Sequence, residues 1–115
     1  MHYNAVRTDQ LTAEIARAYG IERSKNKVLL NVSVLKKSAE GSNSPIDSEV
    51  KVTARNLNNQ LKEVQLRPIN EGTAIYYIAE IGFTGTETLV FDISATPTGS
   101  NTPITATLTR EFFAD

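Results

Sequence analysis

The chain has 115 residues, 40% of them hydrophobic and 22% charged, with a formal net charge of −1 and no Cys. This fits one domain that buries its own core and is too apolar for a disordered chain, and the missing Cys removes disulfides, thiolate metal sites and Cys nucleophiles together. Nine Lys/Arg against six Asp/Glu in residues 1–57, and three against seven in 58–115, form no basic stripe of the kind nucleic acid requires.

His2-Tyr-Asn-Ala-Val6 already reads as a strand, spanning about residues 1–7. No secretory pattern precedes it, so Met1 is expected to stand where a longer precursor was trimmed. Thr8-Asp-Gln10 turns the chain. Thr12 then caps a short helix by accepting from its free first-turn amides, with Glu14 near the positive end. Leu11, Ile15, Ala18 and Tyr19 recur at helical spacing and are expected to face the core. Gly20 is a left-handed stop. So short a helix is unstable alone and must dock on a sheet.

Val28–Leu35 is the first long strand, with Leu30, Val32 and Val34 on one face and Leu29, Asn31, Ser33 and Leu35 on the other. Ser38 to Asp47 is a flexible connection with turn chemistry throughout. In Glu49–Arg55, Val50, Val52 and Ala54 point in, while Lys51, Thr53 and Arg55 point out. Asn56-Leu-Asn-Asn-Gln60 makes a tight reversal into a strand at Leu61–Arg67. There Val64 and Leu66 continue the inward face until Pro68 ends the ladder. Asn70-Glu-Gly72 turns again. Ala74–Ala79 is apolar on both faces, so this strand is central or has another element over one face. Leu89, Phe91 and Ile93 line Thr88–Ser94. Pro97 to Pro103 is a loop tip, and Ile104–Phe113 is the last strand. No apolar run reaches the ~18 residues of a membrane span.

Segments of period two at short spacing predict an all-β fold. The expected architecture is a single immunoglobulin-like β-sandwich over residues 1–115, of about seven strands, with one short helix after the first strand. Val32, Ile78 and Phe91 belong to its buried positions.

The chain carries little that reads as chemistry. His2 is its only imidazole, and a lone terminal His is ordinarily a solvated strand residue. Nitrogen and sulfur donors are too few for copper or zinc, and Glu40 and Asp47 flank one loop too sparsely for calcium. A Ser-His-Asp triad would have to use His2, without a nucleophile elbow. Ser24 and Lys25 are merely adjacent in a turn. Glu71 and Glu80 read as solvated strand ends rather than a glycosidase couple, and Asn31-Val-Ser33 matches a glycosylation acceptor but lies inside a strand. Neither an enzyme nor a cofactor is indicated.

Two surfaces remain. The link Arg23/Lys25/Lys27, with Arg17 before it and Lys36-Lys37 beyond the next strand, reads as a solvated turn or as a docking patch for an acidic partner. Phe112-Phe113 in the last strand must send one ring inward and the other out.

Leu11–Lys27 running into Val28–Lys37, together with Glu71–Ala79, Glu87–Ser94 and the ending Thr109-Arg-Glu-Phe-Phe113, resembles a family of uncharacterised proteins of Gram-negative bacteria, classed as a domain of unknown function. The resemblance covers nearly the whole chain. It implies an immunoglobulin-like sandwich and, because members carry a secretory signal absent here, a periplasmic mature domain. It supplies no catalytic or binding residue. Thr73-Ala-Ile-Tyr-Tyr-Ile78 is also similar to the tyrosine corner of immunoglobulin domains, with Tyr76 as the corner, Ile78 where antibodies have Cys, and Gly72 in place of the usual Asp. The role expected is a non-catalytic periplasmic interaction or accessory domain that docks on another envelope protein or forms a homodimer. The alternative is a small-ligand or metal carrier of the cell envelope.

Overall fold

Alternating β-branched and polar segments pair into strands along most of the chain. A computed structural model describes residues 2–35, 48–70, 74–97 and 101–114. In chain order these form β1 (His2–Arg7), a 3-10 turn (Thr8–Gln10), α1 (Ala13–Ala18), β2 (Lys27–Leu35), β3 (Ser48–Asn56), β4 (Leu61–Lys62), β5 (Arg67–Asn70), β6 (Ala74–Gly82), β7 (Thr86–Pro97) and β8 (Ile104–Phe113). Two four-stranded sheets result, ordered β1-β2-β6-β5 and β4-β3-β7-β8, with every pairing antiparallel. This is the immunoglobulin order, ABED against CFG, with the two-residue β4 added beside the C-equivalent β3.

Register fixes which side chains meet. Val28, Leu30 and Val32 lie opposite Ile81, Ala79 and Tyr77. In the facing sheet Phe91 sits between Ala54 and Leu108. These inner faces form one core in which Val28, Leu30, Val32, Leu89 and Phe91 lose all contact with solvent. The expected burial of Val32, Ile78 and Phe91 is observed. Ile78, however, lies on the outer face of its sheet, in a second cluster with Ala16, Ile21 and Leu29. The doubly apolar β6 is thus central, between β2 and β5, and covered on its outer face.

The covering element is α1. Thr12 caps it, its hydroxyl accepting from the Ile15 N–H at 3.2 Å. Gly20 ends it in the left-handed region at φ +66°, where any side chain would be strained. Its buried side differs from the expected stripe. Leu11 and Tyr19 pack on the second cluster, but Ala16 and Ile21 are the buried residues, while Ile15 and Ala18 are exposed. Over six residues helical spacing defines a face poorly. The small Ala16 lets the helix axis approach the sheet, which selects the contact side.

The strand expected over Leu61–Arg67 is also corrected. Only Leu61 and Lys62 pair with β3. Residues 63–66 then cross to the other sheet, where Arg67–Asn70 pairs with β6. Pro68 does not end a ladder: it lies within β5, an edge strand, where a missing N–H is tolerated. Tyr76 is no tyrosine corner, because β6 occupies the E-equivalent position, whereas that motif belongs to the F-equivalent, here β7. The expectations placed on Met1, Lys36-Lys37, the Ser38–Asp47 connection with Glu40, Glu71-Gly72 and residues 98–100 of the Pro97–Pro103 tip fall outside the described residues.

Candidate functional site

A sandwich exposes four sheet edges, and three of them are blunted. β4 is two residues long and leaves residues 48–53 of β3 without a strand on that side among the described residues, but that stretch carries the exposed Glu49 and Lys51; β5 contains Pro68, and β1 has only six residues. The fourth edge is β8, ten residues long. From Ile104 to Thr109 it reads Ile-Thr-Ala-Thr-Leu-Thr, with neither a charge nor a proline. Edge strands ordinarily carry such devices because their free N–H and C=O groups template further pairing. Ile104 is 46% exposed, and Leu108 only partly covered against the core.

The C-terminal end of β8 is secured. Arg110 donates to the Ala5 carbonyl at 2.9 Å, and Arg7 to the Phe113 carbonyl, so two guanidiniums tie β1 to β8 across the sandwich. Asp9 holds Arg7 in a bidentate pair, both bonds at 2.9 Å. Of the aromatic pair, Phe112 is buried with its ring centroid 5.8 Å from that of Phe83, whereas Phe113 is half exposed. Phe113 is therefore the one of the two that offers surface.

The basic link is more occupied than its sequence suggests. Arg23 donates to the Asp9 carbonyl at 3.0 Å, and Lys27 pairs with Glu22 at 3.4 Å. Lys25 is exposed, with no ion pair among the described residues. Ser24 is engaged through its backbone. Its N–H donates to the buried Thr8 hydroxyl at 2.7 Å, and that hydroxyl donates back to its carbonyl at 3.0 Å. This exchange pins the 3-10 turn to the link and gives Ser24 no dyad with Lys25. His2 is exposed at the edge of β1.

One polar cluster was not singled out from sequence. Asn56 Nδ2 donates to Glu87 Oε2 at 3.0 Å, and Lys62 Nζ and the Thr84 N–H reach Glu87 Oε1 at 3.0 and 2.8 Å. Burial alone would raise this carboxyl. The Thr84 amide, the Asn56 amide and the Lys62 ammonium outweigh burial and draw it from 4.5 down to about 2. A carboxylate so fully satisfied and so weakly basic does not suit a general base. It fastens the β3–β4 reversal to the start of β7.

A depressed carboxyl stabilises the fold above its unfolded value and loses that contribution as pH falls through the folded one. Stability is therefore expected to hold above about pH 5 and fall between about 4.5 and 2, by on the order of 2 kcal/mol from Glu87. Asp92, lowered by the Thr107 hydroxyl and by Arg55, titrates in the same direction. Acid unfolding of Glu87→Gln checks this assignment. A fall as steep as that of the wild type would place the titrating group elsewhere.

Among the described residues no three His, Asp or Glu side chains converge on a point, and no helix is long and apolar enough to cross a membrane. Comparison with known proteins finds a family and a similar solved structure. The profile of a family described as "Domain of unknown function (DUF4426)" matches residues 1–115. The crystal structure of a DUF4426 family protein from Pseudomonas aeruginosa PAO1 is similar, with a TM-score of 0.75 and 31% identity over 99% of this chain and 87% of that one. No curated protein matches.

Proposed function

The chain belongs to the DUF4426 family, a domain of unknown function, and from that premise we propose a non-catalytic interaction domain of the cell envelope that takes an extended partner segment onto the edge of β8. The observation carrying this reading is the contrast among the edges. Three are short, broken by proline or charged, and the longest is left neutral over six residues. A strand added there would gain backbone hydrogen bonds along its length, with side-chain contacts at alternate positions supplying specificity. Its inward residues would cover Ile104 and Leu108, and its outward ones would meet Thr105, Thr107 and Thr109. The partner is thus an uncharged extended segment, alternately apolar and polar. The periplasm is the compartment we propose, in keeping with the export that the resemblance to secreted Gram-negative proteins implies.

Site-specific photocross-linking in intact cells tests the surface. A cross-linker replacing Thr109 should trap an envelope protein, one replacing Lys25 should not, and the yield should change little with salt. Ala106→Lys turns a lysine inward on the edge and should abolish the adduct while the fold persists. Adducts at Lys25 alone, suppressed by salt, would move the docking surface to the basic link. An adduct of twice the chain mass would replace the envelope partner with a second copy of this chain.

A further inference from the structure

A strand that fits the β8 edge is uncharged, extended, and alternately apolar and polar, and β8 itself has that composition from Ile104 to Thr109. Whether two such strands match depends on register. Directly opposed residues of an antiparallel pair lie on the same face, so inward residues must meet inward ones. Ile104, Ala106 and Leu108 are the inward residues, opposite Ala95, Ile93 and Phe91 of β7. With Ala106 opposite its own copy, Ile104 meets Leu108 on the inner face and Thr105 meets Thr107 on the outer, both favourable cross-strand pairs. Arg110 then stands opposite Thr102 and Glu111 opposite Asn101, so no charge opposes an apolar residue or another charge. Moving the axis to Thr107 sets Arg110 against Ile104, and moving it to Thr105 sets Leu108 against Thr102. Of the three, only the Ala106 register matches like with like.

β1 supplies a second fit. Tyr3 stands opposite the buried Val32 and so faces inward, yet it is left 39% exposed. The ties of Arg110 to Ala5 and of Arg7 to Phe113 make β1 and β8 run the same way, which sets Tyr3 toward Leu108. In the Ala106 register, Ile104 of a second copy arrives beside Leu108 on the side of that ring, and the symmetric contact covers the other Ile104. We propose that the chain pairs β8 with β8 of a second copy about this two-fold axis, masking the edge until the envelope partner displaces the copy. The inference rests on the reading of β8 as an open edge and adds how that edge is guarded. Two-fold pairing uses both edges at once and closes, so association stops at two copies. Pro103 has no N–H and confines the pairing to residues 104–108, which keeps the contact small and the dimer weak enough to yield.

Sedimentation equilibrium of the purified chain should show monomer and dimer in exchange, with a midpoint on the order of 100 µM that changes little with salt. Ala106→Lys sets two inward lysines against each other and should leave the chain monomeric. The chain has no Cys, so Ala106→Cys places a lone thiol opposite its own copy, within disulfide reach. Mild oxidation should link it at twice the chain mass. Thr109→Cys lies about 20 Å from its copy in this register and should stay unlinked. An excess of a peptide of residues 102–110 should dissociate the dimer. A chain that stays monomeric up to about 1 mM would overturn the inference. So would a dimer that survives both Ala106→Lys and the peptide, or linkage as ready at Thr109→Cys as at Ala106→Cys. A monomeric chain that still gives the envelope adduct would end this inference alone, and a dimer without that adduct would end the partner reading alone.

Discussion

Replacing Phe91 by Ala is expected to lower the free energy of unfolding by about 3–5 kcal/mol. Phe91 is fully buried at the centre of β7, opposite Ala54 on one side and Leu108 on the other. Leu30 and Val32 of the facing sheet belong to the same buried core. Ala54 is too small to move into the space, and strands held by ladders on both sides cannot collapse inward, so the cavity persists. A domain of this size is stable by roughly 5–15 kcal/mol, so the variant loses a large share of its margin. Urea unfolding measures this as a lower midpoint with an unchanged slope. Phe113→Ala, truncating a half-exposed ring at the end of the neighbouring strand β8, should change stability far less. A loss below about 1 kcal/mol at Phe91 would mean that the opposite face of β7 is the core.

That expectation could be formed from the sequence because period two reports burial directly. Leu30 and Val32, Val52 and Ala54, and Leu89, Phe91 and Ile93 all face as their alternation predicts. Phe112 and Phe113 divide inward and outward for the same reason. Burial is not pairing, however, and β4 and β5 show the difference. Val64 and Leu66 keep their inward alternation and pack on the main core, although neither belongs to a strand. The chain crosses between sheets there while still facing inward, so one continuous strand and two short ones give the same pattern. Pro68 misled similarly: its lack of an N–H excludes a central strand but not an edge, and edge position is decided by sheet order.

Sheet order also hid the candidate site. Ile-Thr-Ala-Thr-Leu-Thr reads identically in a central strand and at an open edge, and only pairing with β7 on one side alone makes it available. The basic link was legible as charge. Its engagement was not, since Asp9 and Glu22 meet Arg23 and Lys27 through the folded turn.

The second large effect is expected at Asn56, whose cost lies in hydrogen bonds rather than volume. Asn56 is 7% exposed. Its Oδ1 accepts from the Asn58 and Gln60 amides, each at 3.0 Å, and its Nδ2 donates to Gln60 Oε1 at 2.7 Å and to Glu87 at 3.0 Å. Asn59, in the left-handed region at φ 61°, is held in the same turn by donating to the Asn56 carbonyl at 3.1 Å. Asn56→Ala removes all four side-chain bonds and leaves Glu87 with one donor fewer. Water can replace the partners of the exposed Asn58 and Gln60 amides but reaches the Glu87 carboxylate less easily, so the loss should be about 2–3 kcal/mol. The two residues act as a unit. A double-mutant cycle with Glu87→Gln should therefore show a coupling of roughly 1 kcal/mol instead of additivity. The carboxyl should also rise from about 2 toward its ordinary range, moving the acid transition of Asn56→Ala to higher pH than that of the wild type. Additive losses with an unmoved acid transition would show that the reversal and the Glu87 cluster stabilise the sandwich independently.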